Sequence, residues 1–172
     1  MRHLAVLVTG TVVLAFGTTA RAQQPPKPGP EHKLLKDREG TWDTTMKAGD
    51  MEFKGTVTFK MELGGLWLAG SLESDLGGQK FYGKSMDTYD AAKKKYVGVW
   101  FDSMGTAPLM MEGTYDKDKK TLTMVGKGPG KDSKETTWRS VSQMPDNDTV
   151  LMSMYVGDGK EPMFTVTYKR KK

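Results

Sequence analysis

Imidazole and thiol chemistry have little to draw on in this chain, which carries two histidines, His3 and His32, and no cysteine. Without cysteine there is no disulfide framework, no thiolate metal site and no cysteine nucleophile. Only His32 follows residue 22, so neither a Ser-His-Asp triad nor a two-histidine metal site can be assembled beyond that point. Haem ligation by His32 is weighed against a solvent-facing helix position, and the second is expected because His32 precedes the strands. Glu73 and Asp75 fall opposite the face of Leu68, Leu72 and Leu76, so they should be wet rather than paired for hydrolysis. The run Gly126-Lys127-Gly128-Pro129-Gly130-Lys131 is glycine-rich like a phosphate loop. However, Val125 stands at the first glycine, Asp132 at the Ser/Thr position, and no helix follows, so a long mobile turn is expected. Asn147-Asp148-Thr149 has the form of a glycosylation sequon and reads as a hairpin turn.

Methionine is the one abundant soft ligand, with thirteen in the chain. Met152 and Met154 would share a strand face about 7 Å apart, a spacing that suits Cu(I). The chain has no isoleucine, though, and its methionines spread over most strands, so they are better read as adaptable core filler. Lysines cluster at 93–95, at 117, 119 and 120, and at the Lys169-Arg170-Lys171-Lys172 terminus. These sit in hairpin tips without interleaved aromatics, so solvated turns are expected and nucleic acid is not. No catalytic residue, metal or cofactor is expected, and an enzyme ranks below a binding protein.

The segments that would position any site follow from the patterning. Residues 1–22 combine a basic start, an apolar stretch from Leu4 to Phe16 and Ala20-Arg21-Ala22, the marks of a secretory signal peptide cleaved after Ala22. The apolar stretch is too short for a membrane span, so no stable anchor is expected after cleavage, and the location is periplasmic or secreted. Removing Arg2 and Arg21 lowers the formal charge from +5 to +3. Residues 23–30 hold four prolines and form an extended leader, and residues 31–172 form a single domain.

Within that domain residues 31–39 are the one helix candidate, stopped by Gly40. Phe53, Gly55, Val57, Phe59, Met61 and Leu63 then alternate with polar residues, a strand with one wet and one dry side. Further strands are expected at 41–48, 66–76, 80–89, 96–104, 108–115, 121–126, 136–143, 149–156 and 163–169, separated by Gly, Asp and Asn turns. The turns after Tyr89-Asp90 and Tyr115-Asp116 share Asp-initiated, lysine-rich chemistry. Ten strands joined by tight links predict an all-β, antiparallel up-and-down barrel with a short N-terminal helix over one end.

A barrel lumen would be lined by Phe53, Phe59, Met61, Leu68 and Leu72, a surface suited to a lipid-like or flat aromatic ligand or simply to filling the barrel. The 96–104 segment is apolar on both faces, Val97, Val99 and Phe101 against Tyr96, Trp100 and Met104. One face must then cover a second surface, the helix or another subunit. With the Trp100 face inside, Asp102 becomes a polar anchor at a cavity mouth. Otherwise it caps a turn.

Several stretches carry a family resemblance. They are Gly29-Pro30-Glu31-His32 with Leu34-Leu35, Gly40-Thr41-Trp42, Tyr89-Asp90 with Lys95-Tyr96-Val97, Trp100-x-Asp102-Ser103-Met104, Glu112-Gly113 and Thr167-Tyr168-Lys169. In order and spacing the chain resembles the exported bacterial family catalogued as domain of unknown function 1579, and more broadly the calycin or lipocalin-like barrels. The resemblance implies a calycin-like barrel of unassigned activity, with no catalytic residues to transfer. It also implies that Gly40 and Trp42 close one end of the barrel, with a basic side chain from a late strand packed on the tryptophan. Arg139 is the leading candidate, ahead of Lys169 or Arg170. The expected function is binding of a small apolar ligand in the lumen. The alternative is a structural or interaction module with a filled barrel and a homodimer face on the 96–104 strand.

Overall fold

The computed structural model describes residues 25–130 and 134–172. The expected signal peptide and its cleavage site lie outside them. Helix α1 (His32–Lys36) leads into β1 (Gly40–Ala48) and β2 (Met51–Glu62). A short 3-10 turn follows, and then β3 (Trp67–Asp75), β4 (Lys80–Asp90), β5 (Lys95–Asp102) and β6 (Leu109–Asp116). The chain ends with β7 (Thr121–Pro129), β8 (Glu135–Asp146), β9 (Thr149–Val156) and β10 (Phe164–Arg170). Each strand pairs antiparallel with its sequence neighbours, and β1 pairs with β10, so the sheet closes into an up-and-down barrel. Closure satisfies the backbone donors and acceptors that an open sheet would leave at its edges.

Register decides which residues face inward, because directly opposed partners share a face. Buried Trp42 opposes Val57 and Arg170, Val57 opposes Leu72, and Phe59 opposes Gly70. Continuing round the wall, Leu68 opposes Asp87, Ser85 opposes Trp100 and Tyr89 opposes Tyr96. The double-faced strand β5 is thereby settled. Tyr96, Trp100 and Asp102 point into the barrel, while Val97, Val99 and Phe101 point out. Phe101 is 47% exposed. Helix α1 packs on β2, β3 and β4, so it does not cover the outer face of β5.

Inward glycines make room for their neighbours. A Cβ at Gly83 would run into the Trp100 ring, and one at Gly98 into the Asp87 carboxylate. At Gly70 it would stand 2.8 Å from Phe59 Cε1. Aromatic rings laid over glycines let a closed sheet bend without leaving holes in its wall.

Burial is concentrated at the helix end. Leu35, Trp42, Val57, Phe59, Leu68, Tyr96, Leu122, Met124 and Val150 form one buried cluster there. Residues of α1 three apart, His32 and Leu35, share the face that enters the barrel. His32 is therefore buried rather than solvent-facing. Its Nδ1 accepts the Gly29 N–H at 3.1 Å, and its ring meets Tyr89 edge-on at 6.4 Å between centroids.

Trp42 closes this end, 2% exposed, with Nε1 donating to the Arg38 carbonyl at 2.9 Å. The guanidinium over its ring, 4.0 Å from the centroid, belongs to Arg170 and not to Arg139. Arg139 is on β8 directly opposite Val125 and Tyr155, on the outer face, where it stacks on Tyr155 at 3.8 Å. The closing cation comes from the last strand because, of the late strands, only β10 lies beside β1. Its Trp42↔Arg170 register places the two side chains on one face. Arg170 also donates to the Glu39 carbonyl at 2.5 Å, to the Asp37 carbonyl at 2.6 Å and to the Asn147 carbonyl at 3.0 Å. A further bond reaches Asp148 Oδ1 at 3.1 Å.

Some segments differ from the sequence expectation. The helix is shorter, ending at Lys36 because Asp37, Arg38 and Glu39 turn back into β1. Of the expected long turn at 126–131, residues 126–129 belong instead to β7, which pairs with β8 as far as Pro129↔Glu135, and Lys131 lies outside the described residues. The Asp-initiated turns form as expected: Asp90 Oδ1 accepts the Ala92 and Lys93 N–H groups, and Asp116 Oδ1 those of Asp118 and Lys119.

Two substitutions separate the roles of the arginines. Arg170→Ala strands three backbone carbonyls and should cost about 2–4 kcal/mol in chemical denaturation. Arg139→Ala removes an outer-face stack and should cost less than about 1 kcal/mol. Equal losses would contradict the assignment.

Candidate functional site

The lumen candidates separate by depth. Phe59 and Leu68 are fully packed at the helix end, 6% and 0% exposed, and belong to the floor. Met61 and Leu72 are half-buried and pack on that floor, while Phe53 lies nearer the opposite end, across from Met46. Trp100 and Asp102 stand near the same end, on β5. Both Asp102 oxygens are engaged: Oδ2 accepts from Trp100 Nε1 at 2.8 Å and Oδ1 from the Met104 N–H at 2.9 Å. Asp102 thus faces inward, and it fixes the Trp100 ring over Gly83 and caps the strand end. Gly40 and Trp42 sit at the closed end, and Arg139 lies outside the site altogether.

Inward residues above the floor keep accessible surface although a closed wall surrounds them. Leu72, Met111, Trp138, Met152 and Phe164 are all only partly buried. An eight-stranded barrel is just wide enough for side chains to fill, and this wall has ten strands. Trp138 Nε1 is buried without a hydrogen-bond partner. Its ring lies by Gly128 on the inner face.

Three polar residues have no counterpart among the sequence candidates: Arg38, Asp87 and Tyr168. Arg38 leaves the turn after α1, and its guanidinium lies 4.8 Å from the Phe59 ring centroid. Its Nε is buried with no acceptor. Asp87 projects from β4 between Leu68 and Gly98, and Tyr168 from β10 between Thr44 and Val150. Asp87 keeps some accessible surface, yet its carboxylate is surrounded by protein. That enclosure raises its pKa, with Arg38 and a Ser85 hydrogen bond pulling the other way. Burial raises the Tyr168 phenol too, opposed by Arg38 and reinforced by Asp87. The three side chains therefore sense one another across the interior. Asp87 has a readable signal in the sequence, a lone carboxylate in phase with Phe81, Gly83, Ser85 and Tyr89. Arg38 has none, because no periodicity governs a turn.

Next to Arg38 the helix end is incompletely covered. A cavity of about 700 Å³ opens between α1 and the turns following β4, β6 and β8. Trp42, Tyr89, Tyr96, Tyr115 and Val150 form its inner wall, with Leu34 and Met144 at the side. Met144 is delivered there by a register shift between Gln143 and Asp146, a bulge at the barrel rim. Tyr96 donates its hydroxyl to the Glu31 carbonyl at 3.0 Å, holding the helix start. Burial pushes its pKa up to about 12, with Glu31, Tyr89 and Tyr115 adding to the effect, so it stays a donor. Lys33, Lys94, Lys117 and Lys120 surround the opening. A second depression lies on the outer wall, where Glu112 is held below the usual carboxylate range by hydrogen bonds from Lys95 and Lys93. Among the described residues no group of three His, Cys, Asp or Glu could hold a metal ion.

A closed, ten-stranded antiparallel up-and-down barrel with a part-covered end defines a calycin-like architecture. Its sequence places it further: residues 27–170 match the profile described as "Protein of unknown function (DUF1579)", and the chain belongs to that family. No curated protein matches it significantly. Among solved structures it is similar to a de novo designed fluorescence-activating beta barrel at 15% identity. That alignment has a TM-score of 0.48 and covers 80% of this chain and 97% of the design. A redesigned beta barrel aligns at 14% identity and TM-score 0.46, covering 81% and 96%.

Asp87 gives a pH-dependent test. An acid whose folded pKa is raised loses folding stability as pH climbs from its unfolded value, about 3.9, through the folded one. Asp87→Asn should therefore raise the melting temperature at pH 7, and the gain should vanish below about pH 4. A substitution that is neutral or destabilising at pH 7 would show that the carboxylate is not held against its hydration.

Proposed function

We propose that this protein is an exported binder of a small, largely apolar molecule, which it takes into the barrel lumen. The observation that carries the reading is the accessible surface kept by inward Leu72, Met111, Trp138 and Met152 inside a closed wall. A packed core would have buried them, as the helix end buries Leu68 and Trp42. Methionine and aromatic side chains give such a lumen an adaptable apolar lining.

A second reading, an interaction module, is favoured by one feature of the outer wall. Tyr82, Phe101 and Met110 are exposed and lie diagonally across β4, β5 and β6. A dimer using this face should dissociate with Phe101→Lys in sedimentation equilibrium, whereas lumen binding should be untouched.

The uncharged dye Nile red serves as the probe for the lumen. Saturable binding with fluorescence enhancement is expected, and Leu72→Trp, which fills the interior, should weaken it at least about tenfold while the barrel stays folded. Dye binding unchanged by Leu72→Trp would place the site elsewhere. Export is tested separately by the intact mass of protein recovered from the periplasm or medium. A chain beginning at Gln23 is expected, and retention of residues 1–22 would refute cleavage.

A further inference from the structure

We propose that the ligand carries a carboxylate head, seated on the guanidinium of Arg38, which lines the helix-end cavity and lies by Phe59 of the barrel floor. This rests on the lumen reading above and names the chemistry its ligand must have. Arg38 is always charged and offers five N–H donors in a planar fork. None of these reaches an acceptor among the described residues, and Nε is buried outright. Its one described contact is the Phe59 ring, which neutralises nothing. Asp87 is close enough to act on it electrostatically but forms no ion pair with it among the described residues. A part-buried guanidinium in this state lacks a partner, and a ligand acceptor that fits the fork supplies one.

The surroundings select the kind of acceptor. At the seat itself one cation stands near an enclosed Asp87, with the lysines out at the opening, so a monoanion suits it better than a doubly charged phosphate. Tyr168 shares Arg38's surroundings, and its phenol, kept protonated by burial, can donate alongside the guanidinium. Lys94 and Lys117 at the cavity opening form no ion pair among the described residues, so their charge is free to draw an anion inward. The side chains beside the head, Trp42, Leu34, Met144 and Val150, are apolar and suit the first carbons of a hydrocarbon or aromatic body. The ligand class is thus an amphipathic carboxylic acid.

Calorimetric titration of the full chain with dodecanoate, dodecanol and dodecyltrimethylammonium at pH 7 tests the head group. Dodecanoate should bind at least about tenfold tighter than dodecanol, and the ammonium weakest. Arg38→Met should collapse the carboxylate-to-alcohol ratio to about one. Asp87→Asn, removing a carboxylate whose charge acts on Arg38, should tighten dodecanoate several-fold. Melting curves confirm that each variant is folded. Equal affinities for acid and alcohol, or a preference that survives Arg38→Met, overturn the head-group assignment while Nile red binding upholds the lumen. Failure of both dye and dodecanoate overturns the two together.

Discussion

The barrel depends on how its two ends of chain are joined, and Arg170 makes that joint. Its guanidinium covers Trp42 on the first strand and binds carbonyls of the turn before that strand and of the turn between β8 and β9. The backbone adds to it, with the Lys171 N–H donating to the Thr41 carbonyl and the Arg170 N–H to that of Asp148. Pairing between β1 and β10 is the most non-local contact in the fold and closes the largest loop. With no disulfide to hold it, the closure relies on this charged clasp, the ladder beneath it and the tryptophan packed inside.

A clasp at one end allows looseness elsewhere. Fully buried side chains gather near α1, whereas inward residues toward the other end keep accessible surface. Packing that end fully would add apolar burial and stability. An enclosed carboxylate and an unpaired guanidinium in the interior cost stability as well. Features that lower stability and serve no packing purpose are expected where a protein binds something. Gly98 fits the same pattern. It forgoes a side chain opposite Asp87, and the carboxylate occupies the space a Cβ would take.

Much of the architecture is legible as period-two alternation. The alternation from Phe53 to Met61 fixes the dry face of β2, although Leu63, the last residue in phase, falls in the 3-10 turn and is exposed. The Asp-Lys turns mark the ends of the hairpins that pair β4 with β5 and β6 with β7. What alternation does not encode is which strand completes a circle. Arg139 and Arg170 are both basic residues on late strands, and only the β1–β10 register distinguishes them. Alternation also has no sign when both faces are apolar, so β5 is ambiguous until its pairing sets Trp100 opposite Ser85 on the inner side. The burial of His32 is hidden because a helix of five residues is too short to display an amphipathic stripe. The candidate site is the least legible part. Apolar lumen residues follow from phase, but the turn-borne Arg38 meets Asp87 and Tyr168 only after the chain has folded.

The central claim is that the closed wall surrounds usable space rather than a filled core. Native mass spectrometry of the protein purified gently from its own compartment tests it most directly. The account predicts a single small-molecule adduct, released on denaturation and identifiable in the extract. A bare polypeptide mass that stays bare after incubation with a mixed lipid extract would contradict it.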